Sequence, residues 1–139
     1  MKRIFILSLP FLLAGCPSMG DRIPVDYPAT VTLRDGAVCV TVMPEGDEKL
    51  AGISINRLDN TQNRDFKFFD PLREIARNQC TPDEGYVFAP GQKYHFSVKL
   101  ISPKKQQAGD FPFAREFVTE FSVNQSNGIL QVEALPTSR

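Results

Sequence analysis

Hydrophobic and polar residues alternate with period two over most of the chain from Ala29 onward. Thr30-Val31-Thr32-Leu33 predicts a strand. Asp35-Gly36 follows, and such a pair between alternating segments predicts a tight hairpin, because the turn that matches strand twist needs positive φ at both central residues. Ala37 to Met43 returns with Val38, Val40 and Val42 on one face and Cys39 and Thr41 on the other. After the loop Pro44-Glu45-Gly46-Asp47, Leu50 to Leu58 alternates through Ile53 and Ile55. Phe66, Phe68 and Phe69 predict a short aromatic strand. Asp70-Pro71, with Leu72, Ile75 and Ala76 at helical spacing, predicts a capped helix within 70–79, with an irregular crossover as the alternative. Gly85 to Phe88 reads as a brief strand, and Phe96, Val98 and Leu100 alternate after Tyr94. Ser102 to Phe111 reads as a loop. Phe113 to Val123 is the longest predicted strand, with Phe117, Thr119, Phe121 and Val123 on one side. Asn127-Gly128 turns the chain into a last strand, Ile129 to Leu135. About seven short strands separated by turn signals predict an all-β sandwich over 29–139.

Pro90-Gly91 shortly before Tyr94 resembles the tyrosine corner of immunoglobulin-like and fibronectin type III sandwiches, where the hydroxyl hydrogen-bonds the backbone of the preceding connection. Tyr94 takes that part in this reading; a buried strand tyrosine is the alternative.

The first residues break the period. Lys2 and Arg3 precede an apolar run, Ile4 to Leu13. At about 1.5 Å per residue it covers only half of a hydrocarbon core roughly 30 Å thick, so it reads as a signal-peptide core and not a spanning helix. Leu13-Ala14-Gly15-Cys16 resembles the bacterial lipobox. The resemblance implies cleavage before Cys16 and a diacylglyceryl group on its thiol. Residues 1–15 are then the lipoprotein signal peptide. Residues 16–28, with Pro17, Pro24 and Pro28, form a lipidated flexible tether. Pro17 stands where an Asp favours retention in the inner membrane, which implies an outer-membrane anchor with the domain facing the periplasm.

Composition changes the picture only after this. The 139 residues carry 16 basic and 16 acidic side chains. Removing 1–15 takes away Lys2 and Arg3 and leaves a mildly acidic domain. That argues against a nucleic-acid partner, which calls for a basic excess. With Cys16 lipidated, Cys39 and Cys80 remain. An even pair in an exported chain is a disulfide candidate; two free thiols or half of a metal site are the alternatives.

Little chemistry presents itself. His95 is the one imidazole; it alternates with Tyr94 and Phe96 and so faces away from the apolar side. There is no G-x-S-x-G, P-loop, dinucleotide fingerprint or paired zinc-ligand spacing, so no cofactor and no metal site is expected. Asp47-Glu48, Asp83-Glu84 and Glu116/Glu120 read as solvated surface. No catalytic residue is assigned and an enzyme is not expected. Two surfaces are candidates for contact. Arg57 to Arg77 mixes both charges with Phe66, Phe68 and Phe69, as protein interfaces do; solvated surface over core phenylalanines is the alternative. The loop from Ser102 to Phe113 carries Lys104, Lys105, Phe111 and Phe113.

Leu13-Ala14-Gly15-Cys16-Pro17-Ser18, Gly20-Asp21-Arg22, Val38-Cys39-Val40, Cys80, Pro90-Gly91 with Tyr94, and the strand before Asn127-Gly128 together resemble the type VI secretion immunity periplasmic lipoproteins. The resemblance spans most of the chain through short motifs, and the Phe-rich Ala108 to Phe117 departs from it. It implies a non-enzymatic module that binds and neutralises a toxin. A structural lipoprotein that scaffolds envelope proteins is the alternative.

Overall fold

The computed structural model describes residues 26–136. The residues read as signal peptide, as the lipobox-like Leu13, Ala14, Gly15 and Cys16, and as tether up to residue 25 lie outside the described residues. Eight strands and one short helix follow in the order β1 (Asp26–Pro28), β2 (Thr30–Arg34), β3 (Ala37–Thr41), β4 (Lys49–Arg57), β5 (Asp65–Arg73), β6 (Gln92–Ile101), α1 (Pro103–Ala108), β7 (Ala114–Ser126) and β8 (Ile129–Ala134). The large sheet has the order β1-β7-β6-β4-β5, and β8 also pairs with β7. β6 fills one edge of β7. Along the other edge β1 runs parallel to Glu116–Val118 and β8 antiparallel to Phe121–Ser126, end to end. β2 and β3 form a second, two-stranded sheet.

The two sheets enclose one core, as an all-β sandwich does. Alternation decides what enters it. β6 sends Tyr94, Phe96, Val98 and Leu100 inward, and β7 sends Phe117, Phe121 and Val123. β3 contributes Val40, the residue after it Val42, with Val31 and Val38 packed beside them. Each such side chain stabilises the fold by about 1.5–3 kcal/mol when fully buried. In β4 strict alternation would turn Leu50 away from Ile53 and Ile55. A register shift between Leu50 and Gly52 resets the parity, and all three are buried. The Asp35-Gly36 hairpin forms with φ of 51° and 75°, as the sequence pair requires.

Cys39 and Cys80 are joined in a disulfide, with Cα atoms 5.0 Å apart. The bond holds the segment before Thr81 along the edge of β3, where the Thr81 N–H donates to the Val40 carbonyl at 2.7 Å. Arg34 donates to the Asn78 carbonyl beside it.

Four expectations are corrected. Residues 26–28, read as the end of the tether, form β1, which fills the edge of β7 at Glu116–Val118. Tyr27 lies on Phe117 there, with ring centroids 5.5 Å apart. Residues 70–79 hold no helix: β5 continues to Arg73, which pairs with Leu50, and Pro71 is tolerated because β5 is an edge strand. Gly85 to Phe88 is not a strand. Glu84 and Gly85 take φ of 54° and 81°, which turns the chain, and Tyr86 and Phe88 pack as an aromatic cluster on Tyr94. The loop after Ser102 contains α1. The Ser102 Oγ caps it by accepting from the Lys105 N–H, Pro103 opens it, and Gly109 closes it at φ 66°.

Candidate functional site

The face of the large sheet that points away from the core is built from small residues. Gly52 stands between Phe68 and Lys99, and Lys99 stands opposite Glu116. In the next row Ser54 stands between Phe66 and Ser97. The floor is therefore Gly52, Ser54 and Ser97, while larger side chains rise on either side. The result is a groove of about 430 Å³. One wall is Phe66 and Phe68 on β5; the other is Ala114, Arg115 and Glu116 on β7; Arg64 and His95 also line it. Three inter-strand spacings of about 4.8 Å put the two walls roughly 14 Å apart.

Gly52 suits this geometry, because any side chain there crowds β5. A Cβ there would sit 3.0 Å from the Lys67 carbonyl oxygen and 3.5 Å from the Phe68 ring. The Phe66 and Phe68 rings are parallel within 2°, with centroids 6.2 Å apart, and Phe68 is 75% exposed. Ser54 and Ser97 are only 7% and 6% exposed, yet they line the groove. Neither hydroxyl has a hydrogen-bond partner among the described residues. An occupant that excluded water here would have to supply hydrogen bonds to both, or leave buried polar groups unsatisfied at about 1–3 kcal/mol each.

The charged residues around the groove divide into tied and untied groups. Arg115 forks onto Glu48, with Nε donating to Oε2 at 2.7 Å and Nη2 to Oε1 at 2.5 Å. Nη2 also donates to the Met43 carbonyl, and the guanidinium lies 4.8 Å from both the Tyr27 and Phe117 ring centroids. Burial pushes the Glu48 carboxyl up, but the Arg115 fork and the Glu45 N–H outweigh it and hold it below the usual carboxylate range. Asp47 is also held low, first by the Ser102 hydroxyl, which donates at 2.5 Å, then by the Lys104 N–H at 2.9 Å. Asp47 and Glu48, read from sequence as solvated, are thus structural ties between the 43–48 loop, α1 and β7. Lys99 makes no ion pair among the described residues, and Arg64 donates only to the Thr61 carbonyl.

The other sequence candidates are dispersed. Asp83 accepts from the Gly85 N–H, and Glu84 pairs with Arg73 at 3.0 Å. His95 lies 3.0 Å from Glu120 on the outward face, partly shielded. The Tyr94 hydroxyl accepts from the Ala89 N–H at 2.7 Å, and the N–H of Gly91, at φ 83°, donates to the Val123 carbonyl. Of the three phenylalanines in the 57–77 segment, Phe69 enters the core under Arg73, and Phe66 and Phe68 face out. Phe111 and Phe113 pack on each other at 5.1 Å. Among the described residues no cluster of three or more His, Cys, Asp or Glu is placed to hold a metal, and no helix is long and apolar enough to cross a membrane. Sequence reading missed Gly52, Ser54, Ser97 and Lys99, and took Glu116 only as solvated surface. Their one signal was small or polar residues at the positions alternating with core residues.

Residues 26–126, from β1 to the end of β7, match a family described as a domain of unknown function, DUF7480. The chain belongs to that family. The DUF7480 match covers both walls and the floor of the groove, and it includes the disulfide and Arg115. No curated protein and no solved structure matches the chain.

Proposed function

We propose that the protein is an outer-membrane lipoprotein whose β domain faces the periplasm and binds a protein partner without catalysing a reaction. The observation that carries this reading is the groove beside Phe66 and Phe68. Two exposed parallel aromatic rings stand beside a floor of largely buried serines whose hydroxyls make no hydrogen bond among the described residues, with Lys99, Arg64 and Glu116 around it. Aromatic anchors with nearby Arg and polar groups are what protein hot spots use. The lipobox resemblance supports the anchor through Cys16. The Tyr94 to Ala89 bond supports reading the sandwich as immunoglobulin- or fibronectin-III-like.

The partner is a toxin, which the module neutralises by occupying it, as the resemblance to type VI immunity lipoproteins implies. The alternative partner is another envelope protein, with this chain as an accessory scaffold. Deleting the gene tests the choice. Under immunity, the deletion sensitises cells to an effector encoded beside it, the wild-type chain restores protection, and a Phe66→Ser/Phe68→Ser chain of equal abundance does not. No sensitisation to a neighbouring effector overturns immunity, and full protection by the variant overturns the groove as the binding face.

A further inference from the structure

The groove leaves one end of the domain unexplained. β1 begins at Asp26, opposite Glu116, two positions from the start of β7 at Ala114. β6 ends at Ile101, paired with Ala114, and the Ser102 N–H donates to the Phe113 carbonyl. The segment 102–113 therefore projects from the same end of the sandwich at which the chain enters it. Lys104 to Pro112 is exposed throughout. Phe111 is 76% exposed, and Lys104 and Lys105 make no ion pair among the described residues. The nearby acids are largely engaged: Asp47 by Ser102 and the Lys104 backbone, Glu48 by Arg115. Glu45 and Asp110 remain at the margin, and Asp26 and Glu116 lie side by side on β1 and β7 at the same end.

We propose that this end of the domain seats on the membrane surface, with Phe111 entering the acyl boundary and Lys104 and Lys105 meeting anionic headgroups. The inference rests on the lipid anchor at Cys16. Ten residue steps separate Cys16 from Asp26, and at 3.3–3.6 Å each they span at most about 35 Å. The chain thus keeps the 102–113 end within about 35 Å of the bilayer, and the far end can lie up to about 40 Å beyond it. The opposite end, at the β7–β8 turn, is a further 12 residues along β7, about 40 Å away. An exposed aromatic beside lysines is the composition that partitions into the interface of an anionic bilayer. Because the contact is made by the end of the domain, the groove on the sheet face stays open to a partner.

The chain has no tryptophan, so Phe111→Trp makes a single reporter. Ile129→Trp, at a site 65% exposed by the far turn, is the control. The full lipidated chain is reconstituted into phosphatidylethanolamine/phosphatidylglycerol vesicles with brominated acyl chains. Vesicle flotation reads the anchor, and tryptophan quenching reads the orientation. The expected result is flotation of both variants, with the Phe111→Trp fluorescence blue-shifted and strongly quenched and the Ile129→Trp fluorescence unaffected. Flotation with the Phe111→Trp reporter unquenched, or with both reporters quenched alike, overturns the seating and leaves the anchor standing. Failure to float removes the anchor, and the seating with it.

Discussion

Replacing Arg115 by glutamine is expected to destabilise the domain by about 2–4 kcal/mol, because it leaves Glu48 buried without its counter-charge. The Glu48 side chain is 7% exposed and that of Arg115 14%, so little of the pair is screened by water. Two charge-assisted hydrogen bonds are lost, each contributing about 1.5–3 kcal/mol net. The estimate sits below their sum because Glu48 keeps the Glu45 N–H and can take up a proton. Part of the loss is packing, since the guanidinium also covers Tyr27 and Phe117 and so clamps β1 to β7. A double-mutant cycle of Arg115→Gln with Glu48→Gln isolates the pair. Urea unfolding followed by far-UV circular dichroism is the assay. The expected coupling is about 2 kcal/mol near pH 7. The sign with pH follows from Glu48, whose carboxyl is held low. Its contribution is complete above the unfolded value of about 4.3 and is lost as pH falls through the lower folded value. A coupling under about 0.5 kcal/mol, the size of an exposed pair, refutes the clamp. So does a coupling that does not weaken on acidification.

Replacing both Cys39 and Cys80 by Ala opens a loop with a sequence separation of 41. Loop entropy then predicts a loss of about 4 kcal/mol, read from denaturant midpoints, and an unchanged midpoint contradicts it. Tyr94→Phe removes the acceptor for the Ala89 N–H and is expected to cost about 1 kcal/mol in the same assay; no measurable change makes Tyr94 a packing residue alone. Cys16→Ala is expected to move the protein from the membrane pellet to the soluble fraction, and an unchanged pellet removes the lipid anchor.

Local chemistry made much of the fold legible in advance. Asp35-Gly36 and Asn127-Gly128 marked both tight hairpins, since each needs positive φ at two successive residues, and φ is 54° and 77° at the second pair. Period two picked out Phe117, Phe121 and Val123 in β7 and Phe96, Val98 and Leu100 in β6, all buried. Several errors fall where a distant strand overrides a local signal, while the Glu84-Gly85 turn and the capped α1 are local features that the reading passed over. Asp70-Pro71 looks like a helix start until Arg73 finds Leu50. Tyr27 looks like linker until β7 offers an edge. The Asp47-Glu48 pair looks solvated until Arg115, 67 residues on, closes over Glu48.

The candidate site divides the same way. Sequence by itself determined the all-β class, the two cysteines available for a bridge, the motif that resembles a lipobox, and an aromatic, mixed-charge segment between Arg57 and Arg77. The strand pattern, the lipobox-like motif and the aromatic segment depend on neighbours only a few residues apart, and the cysteines on a count of thiols, so none needs a strand register to be read. The groove was decided by tertiary structure alone. Ser54, Ser97, Gly52, Lys99 and Glu116 lie on three strands, and only the registers of β4, β6 and β7 place them side by side. A shift of one residue in any of those registers turns every side chain of that strand to the other face. What fixes the registers is the burial of Ile55, Phe96, Phe117 and their neighbours on the opposite side of the same sheet.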